Sequence, residues 1–335
     1  MKHSILIVLG GTLASLIAIP QLAAASLTRN AWPENSLSET DEIHKTFKLA
    51  PGTRVEISNI KGQVDIETAA GESGEILITR TAESAAALKQ DNIIIENNSG
   101  RLIIRGEVSR PAQGKMPNVS HHAKLKLPRN ISLTANSIGG PIVVGDLDGQ
   151  LEVNSVSGAI KAGVVGGMVQ MSSVSGGITL TKVAQKAGFK SITGDLNIGE
   201  VGGPLDISGV SGTVTIDRVS QTAGIKSVSG SLKIGRSDDS LDITGISGDL
   251  SAGIAKLGAR GVQINTVSRE VELRFNGEVD AQFSAKSVSR PVSVDLPNVN
   301  IEEKSAAGMR ARIGKGGPPI SINGVSGAVR LQSQE

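Results

Sequence analysis

Two aspartates are spaced as an acid pair for glycoside hydrolysis would be. Asp206 and Asp242 occupy equivalent positions in a repeated segment, and one copy with Gly224 at that position lies between them. If the copies stack as parallel strands, the two carboxyl groups lie roughly 9–10 Å apart, a separation that inverting glycosidases use. Sugar clefts also need aromatic walls, and the chain has one Trp, four Phe and no Tyr. We interpret both aspartates as surface residues, with a carbohydrate-active solenoid enzyme as the alternative.

A column of serines could supply a nucleophile, but a nucleophilic serine needs a base within hydrogen-bond reach. Beyond the N-terminal leader the histidines are His44, His121 and His122, and none lies in the regular repeat. The absence of cysteine from the sequence removes thiol nucleophiles, thiolate metal sites and disulfides. We therefore predict no catalytic residue and a structural ladder of hydroxyl groups. Its members are Ser157, Ser175, Ser211, Ser229 and Ser247.

Two adjacent histidines and a repeat of 18 residues raise the question of a bound metal. Side chains at 121 and 122 would point to opposite faces of a strand, and the polar segment 118–122 is typical of a solvated loop. A calcium β-roll has an aspartate column, whereas no position of this repeat is an acid in every copy. We predict neither a metal site nor a cofactor.

Four arginines near the C-terminus are the candidate ligand contacts. They are Arg269, Arg290, Arg310 and Arg312. In consecutive repeats Arg269 and Arg290 would lie roughly 5 Å apart and repel each other, so acids or an anion must lie between them. Glu270 and Glu272 are the intramolecular acids and the simpler interpretation. The alternative is a basic edge that binds phosphate or carboxylate groups of envelope polymers.

A tetrad, Ser-Val-Ser-Gly or a close variant, defines the repeat. Its last residue stands at 140, 158, 176, 194, 212, 230 and 248, six successive intervals of 18. Two later copies end at Arg269 and Arg290, and the last copy ends at Gly327. With the last tetrad residue as position zero, positions −2 and +2 are aliphatic in all ten copies. Position +4 is mostly apolar, and a second apolar pair follows at +11 and +13.

Positions −2, +2 and +4 share one parity, which predicts a strand with one buried face. One such unit cannot bury its apolar face alone, so the copies must stack. We predict an all-β fold, a single-stranded parallel β-helix (β-solenoid) with rungs of 18 residues, whose handedness the pattern leaves open. Val210 and Val228 should then lie in one interior ladder, with Ser211 exposed.

Residues 43–122 are less regular and are predicted to form irregular β rungs and a cap. The segment from Ala82 to Gln90 is rich in helix formers and predicts a short helix. A cap is needed because the end of a solenoid is an open sheet edge. Residues 123–335 are predicted to form the regular solenoid, one domain with 43–122, and residues 26–42 a flexible linker.

Residues 1–25 have the form of an export signal. Lys2 and His3 precede an apolar stretch from Ile5 to Ile19, and the alanines at 23–25 suit cleavage after Ala25. No later stretch reaches 18 apolar residues, so no transmembrane segment is expected in the mature chain. The balance of 34 basic and 32 acidic residues argues against a nucleic-acid ligand. We expect the protein in the periplasm, at the cell surface or outside the cell.

Longer motifs carry a family resemblance. They are FKLAPGTRVEISNIKGQVDI (47–66), AKLKLPRNISLTANSIGGPI (123–142) and the serial SVSG, SITG and GISGDL motifs. Over residues 43–331 the chain resembles a bacterial family labelled "putative adhesin" and known as domain of unknown function 4097. The resemblance implies a parallel β-solenoid of the bacterial envelope or beyond it, with no catalytic residues.

The function expected from these observations is that of an exported, non-catalytic β-solenoid, an adhesin or a structural or binding protein of the cell envelope. Its partner would be envelope polysaccharide or another envelope protein. The alternatives are the carbohydrate-active enzyme and a periplasmic partner in envelope-stress signalling.

Overall fold

The described elements are almost all short β-strands, along which buried and exposed side chains alternate. The computed structural model describes residues 38–109, 117–267, 270–286, 288–306 and 308–333, without the side chains of Ser191 and Ile192. Leu37–Glu335 forms one compact unit. The described residues contain 28 strands and one helix. The predicted export signal and residues 26–37 of the predicted linker lie outside the described residues.

The N-terminal part has long strands and the predicted short helix. Its elements are β1 (Glu39–Lys48), β2 (Arg54–Ala69), β3 (Ser73–Ala82), α1 (Ala85–Gln90), β4 (Asp91–Asn98), β5 (Arg101–Val108) and β6 (Val119–Pro128). Ser84 begins α1 as its N-cap, because its Oγ accepts a hydrogen bond from the Ala87 N–H at 3.3 Å.

Shorter strands follow, two for each repeat. They are β7 (Ser132–Gly139), β8 (Ile142–Val144), β9 (Leu151–Ser157), β10 (Ile160–Val165), β11 (Val169–Ser175), β12 (Ile178–Val183), β13 (Ala187–Thr193), β14 (Leu196–Val201), β15 (Leu205–Val210), β16 (Val214–Val219), β17 (Ala223–Val228), β18 (Leu232–Ser237), β19 (Leu241–Ile246), β20 (Leu250–Ile254), β21 (Val262–Asn265) and β22 (Val271–Phe275). The C-terminal strands are β23 (Ala281–Lys286), β24 (Val292–Asp295), β25 (Val299–Ser305), β26 (Gly308–Ile313), β27 (Pro319–Asn323) and β28 (Val329–Ser333).

Each repeat contributes one strand to each of two parallel sheets. The strand before the tetrad joins sheet B (β7, β9 and onward), and the strand after it joins sheet A (β8, β10 and onward). The long strand β2 runs through both sheets. Each residue pairs with the residue one repeat further along the chain, in the neighbouring strand of the same sheet: Ile160 pairs with Ile178, and Ile178 with Leu196. The predicted all-β solenoid with 18-residue rungs is confirmed.

Aliphatic ladders fill the space between the sheets. The residues at positions +2, +4, +11 and +13 are buried throughout the regular rungs. Val210 pairs with Val228 and both are buried, as predicted. Burial of a Val or Leu side chain contributes about 1.5–3 kcal/mol, so the repeated ladders, in which Phe189 is a rare aromatic member, hold the rungs together.

The glycine that ends each tetrad lets neighbouring corners approach closely. A Cβ atom on Gly158 would strike the carbonyl oxygen of Gly140, and one on Gly230 would strike that of Gly212. Gly158 also has a φ of 150°, whereas Gly230 is not in the positive-φ region. Close packing therefore requires glycine in both places, and backbone conformation adds to the requirement in the earlier rungs.

The corner takes two forms, which corrects the predicted burial of position −2. In the rung of β9, Val156 is 49% exposed and Ser155 is buried in its place. In the rung of β15, Gly209 has a φ of 70° and Val210 is buried. A residue in the left-handed region turns the chain early, so the next side chain faces inward. The exposed members are Ile138, Val156, Val174 and Val267, and the buried members are Val210, Val228, Ile246, Val288 and Val325.

Antiparallel strands end both sheets on the N-terminal side, as a cap requires. In sheet A, β1 pairs with β3 and β3 with β6; in sheet B, β4 pairs with β5. Because Glu39 pairs with Ala82, residues 39–42 of the predicted linker belong to β1. The loop interpretation of 118–122 is also wrong from Val119 on, since β6 begins there and pairs with both β2 and β3.

The C-terminal rungs are not stacked in chain order. β27 lies between β21 and β23, and β28 lies between β22 and β24. A hairpin of β25 and β26 extends sheet B beyond β23. The strands that follow positions 269 and 290, β22 and β24, are therefore two rungs apart, roughly 10 Å. Arg269 lies outside the described residues, so its stacking on Arg290 stays a prediction.

Candidate binding surfaces

The two aspartates project from the outer face of sheet B with Gly224 between them, as the repeat predicts. The Asp206 carboxylate lies 2.9 Å from Lys186 Nζ, and both aspartates are exposed. A glycosidase general acid needs a carboxyl group in apolar surroundings that keep it protonated. Neither aspartate has such surroundings. The sheet aligns the two carboxylates two rungs apart, but neither has the environment of a general acid.

A buried aspartate–histidine pair links β4 to β2 and β6. His121 Nε2 donates to Asp91 Oδ1 at 2.8 Å, and His121 Nδ1 accepts from the Lys61 N–H at 3.1 Å. Lys61 Nζ also donates to Asp91 Oδ2 at 3.1 Å, and Arg80 donates to the Asp91 carbonyl. Burial lowers the pKa of His121, although Asp91 opposes this shift. Both ring nitrogens are engaged, so His121 has no nitrogen left to activate a nucleophile.

The neighbouring histidine points to the outer face of sheet A, as predicted for adjacent strand residues. His122 Nε2 lies 2.8 Å from Asp65 Oδ2. Burial raises the pKa of Asp65, but hydrogen bonds from Gln63 and His122 outweigh it and lower the pKa overall. Across the part of the chain that the structure describes, no three His, Asp or Glu side chains converge as metal ligands would.

The tetrad serines are exposed along the corner. Ser229 Oγ donates to Ser211 Oγ at 3.4 Å, so these hydroxyl groups do form a ladder. The three described histidines bond carboxylates elsewhere: His44 to Glu75, His121 to Asp91 and His122 to Asp65. Within the described residues, no histidine lies beside the serine ladder to act as its base.

The four candidate arginines divide into three groups. Arg269 lies outside the described residues. Arg290 is exposed at a corner. Arg310 and Arg312 are exposed on β26, where Arg310 Nη1 lies 3.5 Å from Glu303 Oε2.

The two acids expected between the arginines have other partners. Glu270 pairs with Arg330 at 2.5 Å, and Glu272 lies 3.7 Å from Arg274. Arg330 belongs to β28, the strand inserted between β22 and β24, so the change of rung order also changes the ion pairs. Among the described residues, Arg290 has no carboxylate within 4 Å.

An elongated cavity of about 610 Å³, which we call the axial groove, crosses the outer face of sheet B. One wall is formed by turn residues of successive rungs and the floor by outward side chains of β2, β7, β9 and β11. Its side chains include Arg54, Glu56, Ser132, Thr134, Gln150, Glu152, Met168, Gln170 and Lys186. The groove therefore runs across the strands, along the direction in which the rungs stack.

Charged side chains and neutral amide and hydroxyl groups line the axial groove. Glu56 is bound by Arg101 at 2.6 Å, and Lys186 is bound by Asp206, so these charges are satisfied within the protein. Gln150 and Gln170 lie one rung apart and offer both donors and acceptors. Gly188, next along from Gln170, has no side chain and leaves room for the Gln170 amide to lie across its rung. Arg54 and Glu152, of opposite charge, also line the groove, so its surface has no excess of one charge and suits neutral hydroxyl-rich groups.

Comparison with known protein families identifies the family of this chain. The Toastrack DUF4097 family matches residues 53–332, which is most of the sequence. The chain belongs to the Toastrack DUF4097 family. The resemblance inferred from the serial tetrads is thus confirmed. A comparison with curated proteins finds no match.

Several crystal structures resemble this Toastrack chain. One is of a "putative adhesin" from Bacteroides fragilis, 8% identical, which covers 87% of this chain and 97% of that chain with a TM-score of 0.32. Another is of a "putative lipid binding protein" from Parabacteroides distasonis, 12% identical, with 88% and 96% covered and a TM-score of 0.36. A third is of a "putative cell adhesion protein" from Clostridium sporogenes, 12% identical, with 88% and 100% covered and a TM-score of 0.20.

Within its described residues, this Toastrack chain has no helix that is long and apolar enough to cross a membrane. The axial groove was missed by sequence reasoning, although a signal existed. Gln150, Met168 and Lys186 recur at 18-residue spacing beside the apolar positions, and such a column must line up on one surface.

Proposed function

We propose that this Toastrack protein is an exported, non-catalytic binding protein of the bacterial envelope, adhesive or structural in role, that holds a linear envelope polysaccharide. The observation that carries the proposal is the axial groove, because it runs across rungs of constant spacing. A polymer with repeating units can make the same contact at successive rungs. Many weak contacts then add to a useful affinity, as linked binding modules do.

The chemistry of the groove supports a neutral, hydroxyl-rich chain. Gln150, Gln170 and Thr134 can each donate and accept hydrogen bonds. Met168 is 44% exposed and offers an apolar surface for the faces of sugar rings. A binding protein needs these groups only in position, whereas cleavage would need a carboxyl group kept protonated.

The test measures binding of purified envelope polysaccharides to the intact protein by calorimetry. The double variant Gln150→Ala, Gln170→Ala should bind at least about fivefold more weakly, because each lost hydrogen bond contributes about 0.5–1.5 kcal/mol. The matched control, Asn197→Ala with Thr215→Ala, removes two polar groups from the outer face of sheet A and should bind as the wild type does.

Three outcomes would contradict the proposal. The first is that no envelope polysaccharide binds, and the second is that the groove and control variants are equally affected. The third is release of new sugar ends that the double variant Asp206→Asn, Asp242→Asn abolishes, which would establish the carbohydrate-active enzyme instead. Capture of an envelope signalling protein with no polysaccharide binding would favour the stress-signalling alternative.

A further inference from the structure

The C-terminal end of the solenoid contains a cleft that the rung order creates. The corner Ser289–Val292 precedes β24, and the turn of the β25–β26 hairpin faces it across a cavity of about 260 Å³. We call this cavity, lined by the corner, Lys304–Ala306, Gly308 and Met309, the end cleft. It is separate from the axial groove, with which it has no lining residue in common.

The end cleft is positively charged. Arg290 and Lys304 are its charged lining residues, and no acid lines it. An adjoining cavity of about 240 Å³ shares Met309 with it and adds Lys286 and Arg310, with Glu303 as the acid. Glu303 lies 3.5 Å from Arg310, whereas Lys286, Arg290 and Lys304 have no carboxylate within 4 Å among the described residues.

The charge is local to this end. Between Lys286 and Lys315 the sequence has six basic and three acidic residues, a net charge of +3, whereas the whole chain has a net charge of +2. The two unpaired cations of the end cleft, Arg290 and Lys304, repel each other, and a bound anion relieves that repulsion. Arg290 can bind an oxyanion with two parallel hydrogen bonds, and Lys304 can add a third contact.

Apolar groups complete the cleft. Pro291, Val292 and Met309 line it beside the charged groups, and Met309 is buried. They suit the carbon framework to which an oxyanion is attached.

We propose that the end cleft is an oxyanion site that binds phosphate or carboxylate groups carried on an extended envelope polymer. Arg290 and Lys304 bind the anionic group in the end cleft. Lys286 and Arg310 lie on the opposite face of the β25–β26 hairpin, because they alternate with the buried Ala285 and Met309 along β23 and β26, and they add to the positive charge at this end. The site refines the sequence-based hypothesis of an anion contact: Arg290 lines the end cleft, Arg310 lines only the adjoining cavity, Arg312 lines neither, and Lys304 supplies the second charge.

The experiment titrates the intact protein with four probes at two salt concentrations. The probes are inorganic phosphate, linear polyphosphate, polygalacturonate and neutral dextran. We expect at least one of the two anionic polymers to bind more tightly than inorganic phosphate, and dextran not to depend on the cleft. Preference for polyphosphate identifies a phosphate ligand, and preference for polygalacturonate identifies a carboxylate ligand.

The decisive comparison uses two variants of equal charge. Arg290→Ser with Lys304→Ser should weaken binding of the anionic polymer about tenfold or more, since the charge-assisted hydrogen bonds of both side chains to the oxyanion are lost. The same variant should flatten the salt dependence by about one to two units of slope. Lys161→Ser with Lys233→Ser removes two exposed lysines from sheet A and should leave affinity within about twofold.

Equal loss in both variants would overturn the site, because general attraction to a positive chain would then explain binding. Unchanged affinity and slope in the cleft variant would overturn it as well. Unchanged melting temperatures of both variants confirm that folding is intact, and Arg290→Lys with Lys304→Arg should restore most of the binding. The proposed function is tested separately, by the binding of purified envelope polysaccharides to the axial groove variant Gln150→Ala, Gln170→Ala. The end cleft and the axial groove can therefore fail independently.

Discussion

At the scale of single residues, the φ of the preceding residue decides whether a corner side chain points to the interior or to the solvent. Val156 and Val210 occupy the same tetrad position, yet one is half-exposed and the other is buried. Gly209 before Val210 has a positive φ, and the corresponding Ser155 does not. Ser155 then occupies the interior, where its hydroxyl oxygen has no hydrogen-bond partner within the described residues. Side-chain type alone therefore does not assign the core at a corner.

The two valines give a direct test of this switch. Val210→Asp would bury an unpaired carboxylate, so we expect a loss of several kcal/mol of unfolding free energy. Val156→Asp should change the free energy by less than about 1 kcal/mol, because its side chain reaches water. Urea unfolding of both variants measures the difference, with Ser211→Ala as an exposed control that should match the wild type. Similar losses for the two aspartates would show that the corners have one form.

At the scale of elements, the N-terminal cap depends on a buried polar cluster. Asp91, at the start of β4, accepts hydrogen bonds from Lys61 on β2 and His121 on β6, and Arg80 on β3 donates to its carbonyl. Three potential cations then surround one carboxylate if the histidine is protonated. The cap is stable as long as His121 stays neutral.

This cluster predicts a pH dependence of stability. Unfolded histidine has a pKa near about 6.5, and burial lowers the pKa of His121 in the folded protein. The unfolded chain therefore binds the proton first, so stability is full above about pH 6.5 and falls as the pH drops below it, by at most about 1.4 kcal/mol per pH unit. Unfolding free energies between pH 8 and 5 should show this slope. His121→Gln should flatten it, while His122→Gln should retain it; a wild-type slope in His121→Gln would contradict the assignment.

At the scale of the whole described unit, the last repeat of the chain is an interior rung. β28 pairs with both β22 and β24, and its Val329 joins the ladder between Val271 and Val292. The final strands therefore connect the outer rung to the rest of the sheets. A C-terminal truncation should act unlike the loss of a frayed end.

Ending the chain at Gly317 tests this arrangement. It removes β27 and β28, whose Ile320, Ile322, Val329 and Leu331 are buried and contribute about 1.5–3 kcal/mol each. We expect large destabilisation and fast hydrogen exchange throughout β23–β26, although those strands remain in the chain. Ending it at Ser333 should change nothing measurable. Preserved protection of β23–β26 in the shorter chain would contradict the inserted position of the last repeat.

The sequence by itself determined the fold class, the length of the rung and most of the interior. Period-2 alternation at +2, +4, +11 and +13 and the fixed spacing of 18 leave few other ways to bury the aliphatic side chains. It also placed glycine at the end of most tetrads, where neighbouring corners touch backbone to backbone. The short helix follows from an equally local rule, the helix propensity of its residues.

The tertiary structure alone decided the two forms of the corner, the order of the last rungs and the surfaces that they create. Ladders at Val271, Val292 and Val329 are chemically alike, so the sequence pattern does not rank which rung stacks on which. The choice depends on how the β25–β26 hairpin packs, a contact between segments distant in sequence. The buried Asp91–His121 pair and the end cleft arise in the same way, because each unites residues from separate strands that no spacing along the chain relates.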